Sequence, residues 1–167
     1  MGYRSDVGIA VAFDNERSLQ EVQALYAMDS TVQAEGLGDF VGSGQSTNML
    51  QWECHVYRNT VDSDVFILTI NLSGVKYYPS YPTTKAIEYM HDLCQMLARE
   101  NPDFVYAYKS IEVGEEVEDT TIIMDTAISN KFMDESDELD EIRERCYFLD
   151  GHVNATVELT RTISIDI

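Results

Sequence analysis

A chain of 167 residues, 44% of them hydrophobic, has the length of one domain and enough apolar content for a buried core, which excludes an intrinsically disordered chain. Its 30 acidic against 11 basic residues give a formal charge of −19, a balance that argues against direct binding of nucleic acid or of an anionic membrane and favours basic partners. No apolar run approaches the ~20 residues of a membrane helix, and the opening MGYRSDVGIAVAF lacks the basic-then-apolar pattern of an export signal, so an intracellular protein is expected.

In chain order, VGIAVAF at residues 7–13 alternates, with Val7, Ile9, Val11 and Phe13 on one side and Gly8, Ala10 and Ala12 on the other. That is a strand whose small face suits a closely packed helix. Ser18 opens SLQE, which reads as a capping box with Glu21, and Leu19, Val22, Leu25 and Tyr26 then recur at helical spacing. A Gly- and Ser-rich loop is expected from Glu35 to Asn48. Its glycines at 36, 38 and 42 miss the dinucleotide spacing and it holds no Lys, so it is poorly made for phosphate.

In MLQWECHVY, Leu50, Trp52, Cys54 and Val56 share one face of a second strand. DVFILTINL carries Phe66, Leu68, Ile70 and Leu72 as the continuous stripe of a central strand, and RNTVDSD joins the two as a hairpin. After GVKYYPSYP a second helix begins near Thr83, buries Ile87, Met90, Cys94 and Leu97, and ends before Pro102. FVYAYKSIEV and DTTIIMDT read as strands joined by an acidic turn at Gly114. DESDELDEIRERCYFL reads as a short acidic helix capped by Ser136, with Leu139, Ile142 and Cys146 on one side and Asp137 and Glu138 at the positive end of its dipole. The last stretch alternates Val153, Ala155, Val157, Leu159, Ile163 and Ile165 with polar residues, and is expected to be a strand.

The first six elements follow the order strand, helix, strand, strand, helix, strand. The expected fold is therefore α+β, a single domain over residues 1–167 with the ferredoxin-like β-α-β-β-α-β order, additional C-terminal strands and a short acidic helix.

Few residues are arranged for chemistry. The three Cys, at 54, 94 and 146, have no CxxC spacing and are expected to be reduced, with Cys54 and Cys94 buried. Cys54 and His55 are strand neighbours and point to opposite faces. The three His have no metal spacing, and His91, beside an apolar helical stripe, reads as a packed residue. DESDELDEIRER lacks the glycine of a calcium loop. No catalytic residue, metal or cofactor is assigned. Glu116, Glu118 and Asp125 would hold a divalent cation only by converging across the hairpin.

Charge patterning points elsewhere. From Glu112 to Glu144 there are thirteen acidic residues against Lys131 and Arg143. A field of one sign steers a partner of the other, which makes Glu112, Glu115, Glu116, Glu118, Asp119, Asp137 and Glu138 a candidate surface for a protein with a basic face. Arg161, on the apolar side of the last expected strand, needs a carboxylate such as Glu115 or Glu118, and Arg4 is expected to pair in the same way. Tyr77, Tyr78 and Tyr81, set among prolines, read either as interface aromatics or as the packing of a rigid helix entry.

The segments MGYRSDV, GVKYYPSYP, YAYKSIEVGEEVEDTTI and RTISIDI, in this order along the chain, resemble a family of small bacteriophage proteins to which no activity is attached. The matching positions are a minority of the chain, and the family usually has Trp where Tyr77 stands. The resemblance implies a phage product acting in the cytoplasm of an infected bacterial host. The leading expectation is a non-enzymatic accessory protein that binds a host or phage protein, inhibition through the acidic surface being one form of that reading. The alternatives are a divalent-metal-dependent enzyme using the carboxylates of residues 112–125, and a homo-oligomeric structural or assembly component presenting a sheet edge or the tyrosine segment. The oligomeric state stays open.

Overall fold

The computed structural model describes residues 4–42, 44, 50–58, 64–115, 119–131 and 137–157, with the backbone alone at 137 and 138. The alternating opening segment becomes β1 (Ser5–Phe13). It is followed by α1 (Glu16–Met28), α2 (Ser30–Ala34), β2 (Phe40–Gly42), β3 (Trp52–Tyr57), β4 (Val65–Val75) and α3 (Pro82–Glu100). β5 (Tyr106–Val113), β6 (Thr120–Thr126), a 3-10 turn (Ala127–Asn130) and α4 (Asp137–Thr156) complete the described chain. The strands form one mixed sheet in the order β2-β3-β4-β1-β5-β6. β2 and β3 pair in parallel and every other neighbouring pair is antiparallel.

Directly paired residues share a face, so the register defines both surfaces of the sheet. Ile9 lies opposite Ile70 and Ser110, and Val11 opposite Leu68 and Tyr108. This bulky face is covered by α1 and α3. Trp52 of β3, fully buried, donates from Nε1 to Tyr26 Oη at 3.0 Å, and Tyr26 donates to the Ala86 carbonyl at 2.8 Å, tying sheet, α1 and α3 together. Both aromatic rings thus contribute apolar area without leaving a polar group unpaired.

The small face of β1 receives α4. Gly8 lies against the end of this helix: a Cβ there would stand 3.5 Å from Val157 Cγ1, an ordinary contact, and 3.3 Å from Asn71 Oδ1 of β4, the tighter approach. Arg145 clamps Asp14, just past the end of β1, through Nε at 2.6 Å and a second nitrogen at 3.0 Å. Helices therefore flank both faces of the sheet, rather than one face alone.

Three other expectations are corrected. α4 is long, and it absorbs Val153–Thr156, which alternation had assigned to a strand. Ile142, Cys146, Leu149 and Val153 are buried at helical spacing, and this longer-range stripe outweighs a five-residue alternation. Residues 158–167, the rest of that expected strand, lie outside the described residues. The N-cap of α1 is Asn15, whose side chain accepts from the Ser18 amide at 2.8 Å, so Ser18 lies inside the first turn instead of opening it. Finally, the Gly-rich loop contains the short strand β2, whose Phe40 packs against the core. All three cysteines are free thiols; Cys94 and Cys146 are buried and Cys54 is half-buried.

Candidate functional site

α3 begins with Tyr81 as N-cap and Pro82 at its first turn, a position that suits the fixed φ of proline. Its apolar stripe, Ile87, Met90, Cys94 and Leu97, is buried against the sheet. Helical spacing then places Glu88, His91 and Asp92 together on the shoulder of α3, facing β5. His91 stacks on Tyr108 with ring centroids 4.0 Å apart and planes 4° from parallel.

His91 Nε2 stands 2.9 Å from Asp125 Oδ2. The same oxygen accepts from Tyr106 Oη at 2.5 Å and, at 3.4 Å each, from Gln95 and Asn130, while Oδ1 accepts from Ser129 at 2.5 Å. Burial pushes the Asp125 carboxyl up, but hydrogen bonds from His91, Ser129 and Tyr106 outweigh it and hold the group well below the usual carboxylate range. Asp125 is therefore ionised and can only accept, which makes His91 Nε2 the donor. No described residue hydrogen-bonds its Nδ1.

On the other side of His91 is a cleft of about 210 Å³ whose walls include Tyr77, Glu88, Asp92, Tyr108 and Glu112. The pairing of Ser110 with Ile123 and of Glu112 with Thr121 builds its floor from β5 and β6. Burial, then the charges of Asp92 and Glu112, push the Glu88 carboxyl above its ordinary value. Tyr77 is likewise raised, by burial first and then by Glu88, Tyr108 and Glu112, so its phenol stays neutral. Glu112 accepts from Ser5 Oγ at 3.0 Å. Among the described residues no Lys or Arg pairs with Glu88, Asp92 or Glu112. Three carboxylates beside two tyrosine rings form a receptacle for an ammonium or guanidinium group.

The residues expected to form one acidic surface fall in two places. Glu112, Glu115 and Asp119 cluster at the β5–β6 turn, which Gly114 N closes on the Asp119 carbonyl at 2.8 Å; Glu116 and Glu118 lie outside the described residues. Asp137 and Glu138 begin α4, which runs from beyond the C-terminal end of β1, at Asp14 and Arg145, back to Gly8. The turn lies at the opposite end, where Asp6 pairs with Val113. The length of β5 puts about 20 Å or more between the two groups. Asp125 is also remote from the turn, six residues along β6 from Asp119, or about 20 Å, and it is not brought into a shared cation site with it. Among the described residues no group of three or more His, Cys, Asp or Glu could hold a metal ion, and no helix is long and apolar enough to cross a membrane.

Arg4 meets Glu115, but through its backbone amide at 3.1 Å; its guanidinium donates to the Gly74 carbonyl at 2.9 Å. Arg161 lies outside the described residues. Tyr78 and Tyr81 make an edge-to-face pair at the entry to α3, and Tyr77 packs against the core. Tyr77 and Tyr81 also line a second, more open cleft of about 530 Å³ between the end of β4 and α3.

Glu88 and Asp92 are the residues that sequence reasoning passed over, while His91 was read only as a packed residue. Their signal was an acidic pair at i and i+4 flanking a histidine, at the edge of an apolar stripe. No protein-family model matches the chain, and no curated protein or solved structure matches it, so the site is read from its own geometry.

Proposed function

We propose that this protein is a non-enzymatic accessory protein that binds a basic surface of another protein by seating a lysine or arginine side chain in the cleft of Glu88, Asp92 and Glu112. The observation that carries this reading is the convergence of those three carboxylates without a cation paired to them among the described residues. Like charges held this close raise the free energy of the unbound site, and a guanidinium or ammonium group relieves them. Glu115 and Asp119, with Glu116 and Glu118 between them in sequence, extend the negative field beyond the cleft and steer the partner. Asp137 and Glu138 have a lesser part, because α4 starts at the other end of the sheet.

The setting follows the family resemblance: a bacteriophage product in the cytoplasm of an infected bacterial cell, with a host or phage protein as its target and inhibition as one consequence of binding. The domain that carries the cleft is read as a ferredoxin-like core of β1, α1, β3, β4, α3 and β5. The support is the order β3-β4-β1-β5 with all three pairings antiparallel. The strand β6 and the helix α4 are additions to it.

Capture from bacterial lysate on the immobilised protein, at rising salt, tests the reading. A basic protein retained at low salt is expected to bind at least about tenfold more weakly to a Glu88→Gln, Glu112→Gln double variant, the loss of roughly 1.4 kcal/mol or more. An Asp137→Asn, Glu138→Gln variant should retain it. Equal capture by the cleft variant and the wild type would overturn the assignment.

A further inference from the structure

Ile122, Ile123 and Met124 are 51%, 45% and 47% exposed, although they occupy three successive positions in the middle of a strand. β6 ends the sheet, and among the described residues no strand pairs with its outer side. Edge strands are commonly protected by lysine, proline, a bulge or shortness. The opposite edge, β2, is three residues long, whereas β6 has seven residues, no lysine and no proline, and an unbroken register with β5. The described hydrogen bonds from α3 reach β6 only at Asp125, through His91 and Gln95, and residues 121–124 are exposed on both faces of the strand.

We propose that β6 pairs antiparallel with β6 of a second copy of this chain, on a two-fold axis at Ile123, joining two six-stranded sheets into one. The strand is self-complementary in that register. Ile123 meets its own counterpart, Ile122 meets Met124 and Thr120 meets Thr126, so apolar side chains meet apolar ones on both faces. Asp125, the one charged residue of β6, falls opposite Thr121 and never opposite itself. Moving the axis by one residue, to Met124, would set Ile123 against Asp125, and moving it by two would place Asp125 directly against its copy. Charge thus selects this register over its neighbours. The antiparallel arrangement also carries the two acidic turns to opposite ends of the joined strands, which keeps the largest repulsion between chains of −19 apart. The two cation-accepting clefts then open on the same face of one sheet, so a partner with two basic segments gains by binding both.

A single strand pair lies at the small end of interface sizes, so association in the micromolar range is expected. It should strengthen with salt, as screening relieves the repulsion of two acidic chains; capture of a basic partner weakens with salt, which separates the two readings. Sedimentation velocity on the full chain, from micromolar to high micromolar, is the first measurement. A dimer that Ile122→Lys and Ile123→Lys each abolish, with an unchanged melting temperature, supports the proposal. Register is tested by Ile123→Cys, which should form an intermolecular disulfide on mild oxidation while Thr121→Cys does not. A monomer at all concentrations and salts overturns it, as does a dimer indifferent to both lysine variants. Dimerisation only after removal of residues 158–167 would also overturn it, by assigning the edge to the chain's own C-terminal segment.

Discussion

His91 stands between two sets of carboxylates that the fold treats in opposite ways. On one side Asp125 is surrounded by five donors and its carboxyl is driven down. On the other, Glu88 lies on the exposed shoulder of α3 beside Asp92 and Glu112, and its carboxyl is driven up. The chemistry of the groups is nearly the same, and what differs is the supply of protons to donate. A satisfied carboxylate holds structure together. Glu88, Asp92 and Glu112 are kept close by a helix shoulder and a strand pair, and among the described residues they have only the Ser5 hydroxyl, on Glu112, as a hydrogen-bond donor. Under the proposed function a bound cation brings the rest.

Asp125→Asn is the strongest way to break this contrast. The amide removes the charge and turns an NH₂ group toward donors that need an acceptor, so a loss of about 3 kcal/mol is expected. For a chain of this size that is a fall in melting temperature of about 6–12 °C. The pH dependence has a definite sign. A carboxyl lowered in the native state contributes stability above its unfolded pKa and loses it as pH falls through the native one. The gap between wild type and variant should therefore be full at neutral pH and close in acid. Equal melting temperatures at neutral pH would show that the five contacts contribute nothing. Tyr106→Phe is the milder form. It removes the donor at 2.5 Å and the acceptor that serves Asn130 at 2.9 Å, for an expected loss of about 1–2 kcal/mol in thermal or urea unfolding.

This contrast could be read from the sequence only in part. The strands β1, β4, β5 and β6 were legible because alternation and β-branched content agree over six residues or more. The second half of α4 was not, because Val153, Ala155 and Val157 alternate as a strand does, while the stripe Cys146, Leu149 and Val153 needed the helix to continue through Gly151. At the site, Asp125 drew notice only as a possible cation ligand with Glu116 and Glu118, but its five donors come from α3, β5 and the turn after β6. Nothing local identifies them. Glu88 and Asp92 were invisible for the same reason: an acidic pair on a helix is ordinary solvated surface until the register of β5 sets Glu112 beside it. Local charge counting joined Glu115 and Asp137 into one surface, because distance along the chain is a poor guide to distance across a sheet.

The smallest expected effect sharpens the comparison most. A carboxyl raised in the native state contributes stability that is present below its unfolded pKa and lost as pH rises through the native value, so ionised Glu88 is a liability at neutral pH. Glu88→Gln keeps the shape of the side chain and removes its repulsion with Asp92 and Glu112. Solvent screening of an exposed group holds the gain to about 0.5 kcal/mol, which is a rise of about 1–2 °C in melting temperature. The rise should vanish when unfolding is measured in acid, where wild-type Glu88 is protonated in both states. The same variant should capture a basic partner less well. Stability gained where binding is lost is the signature of a group kept for binding at a cost to the fold. If Glu88→Gln instead lowers the melting temperature at neutral pH, Glu88 is a structural acceptor like Asp125, and the two sides of His91 are not different in kind.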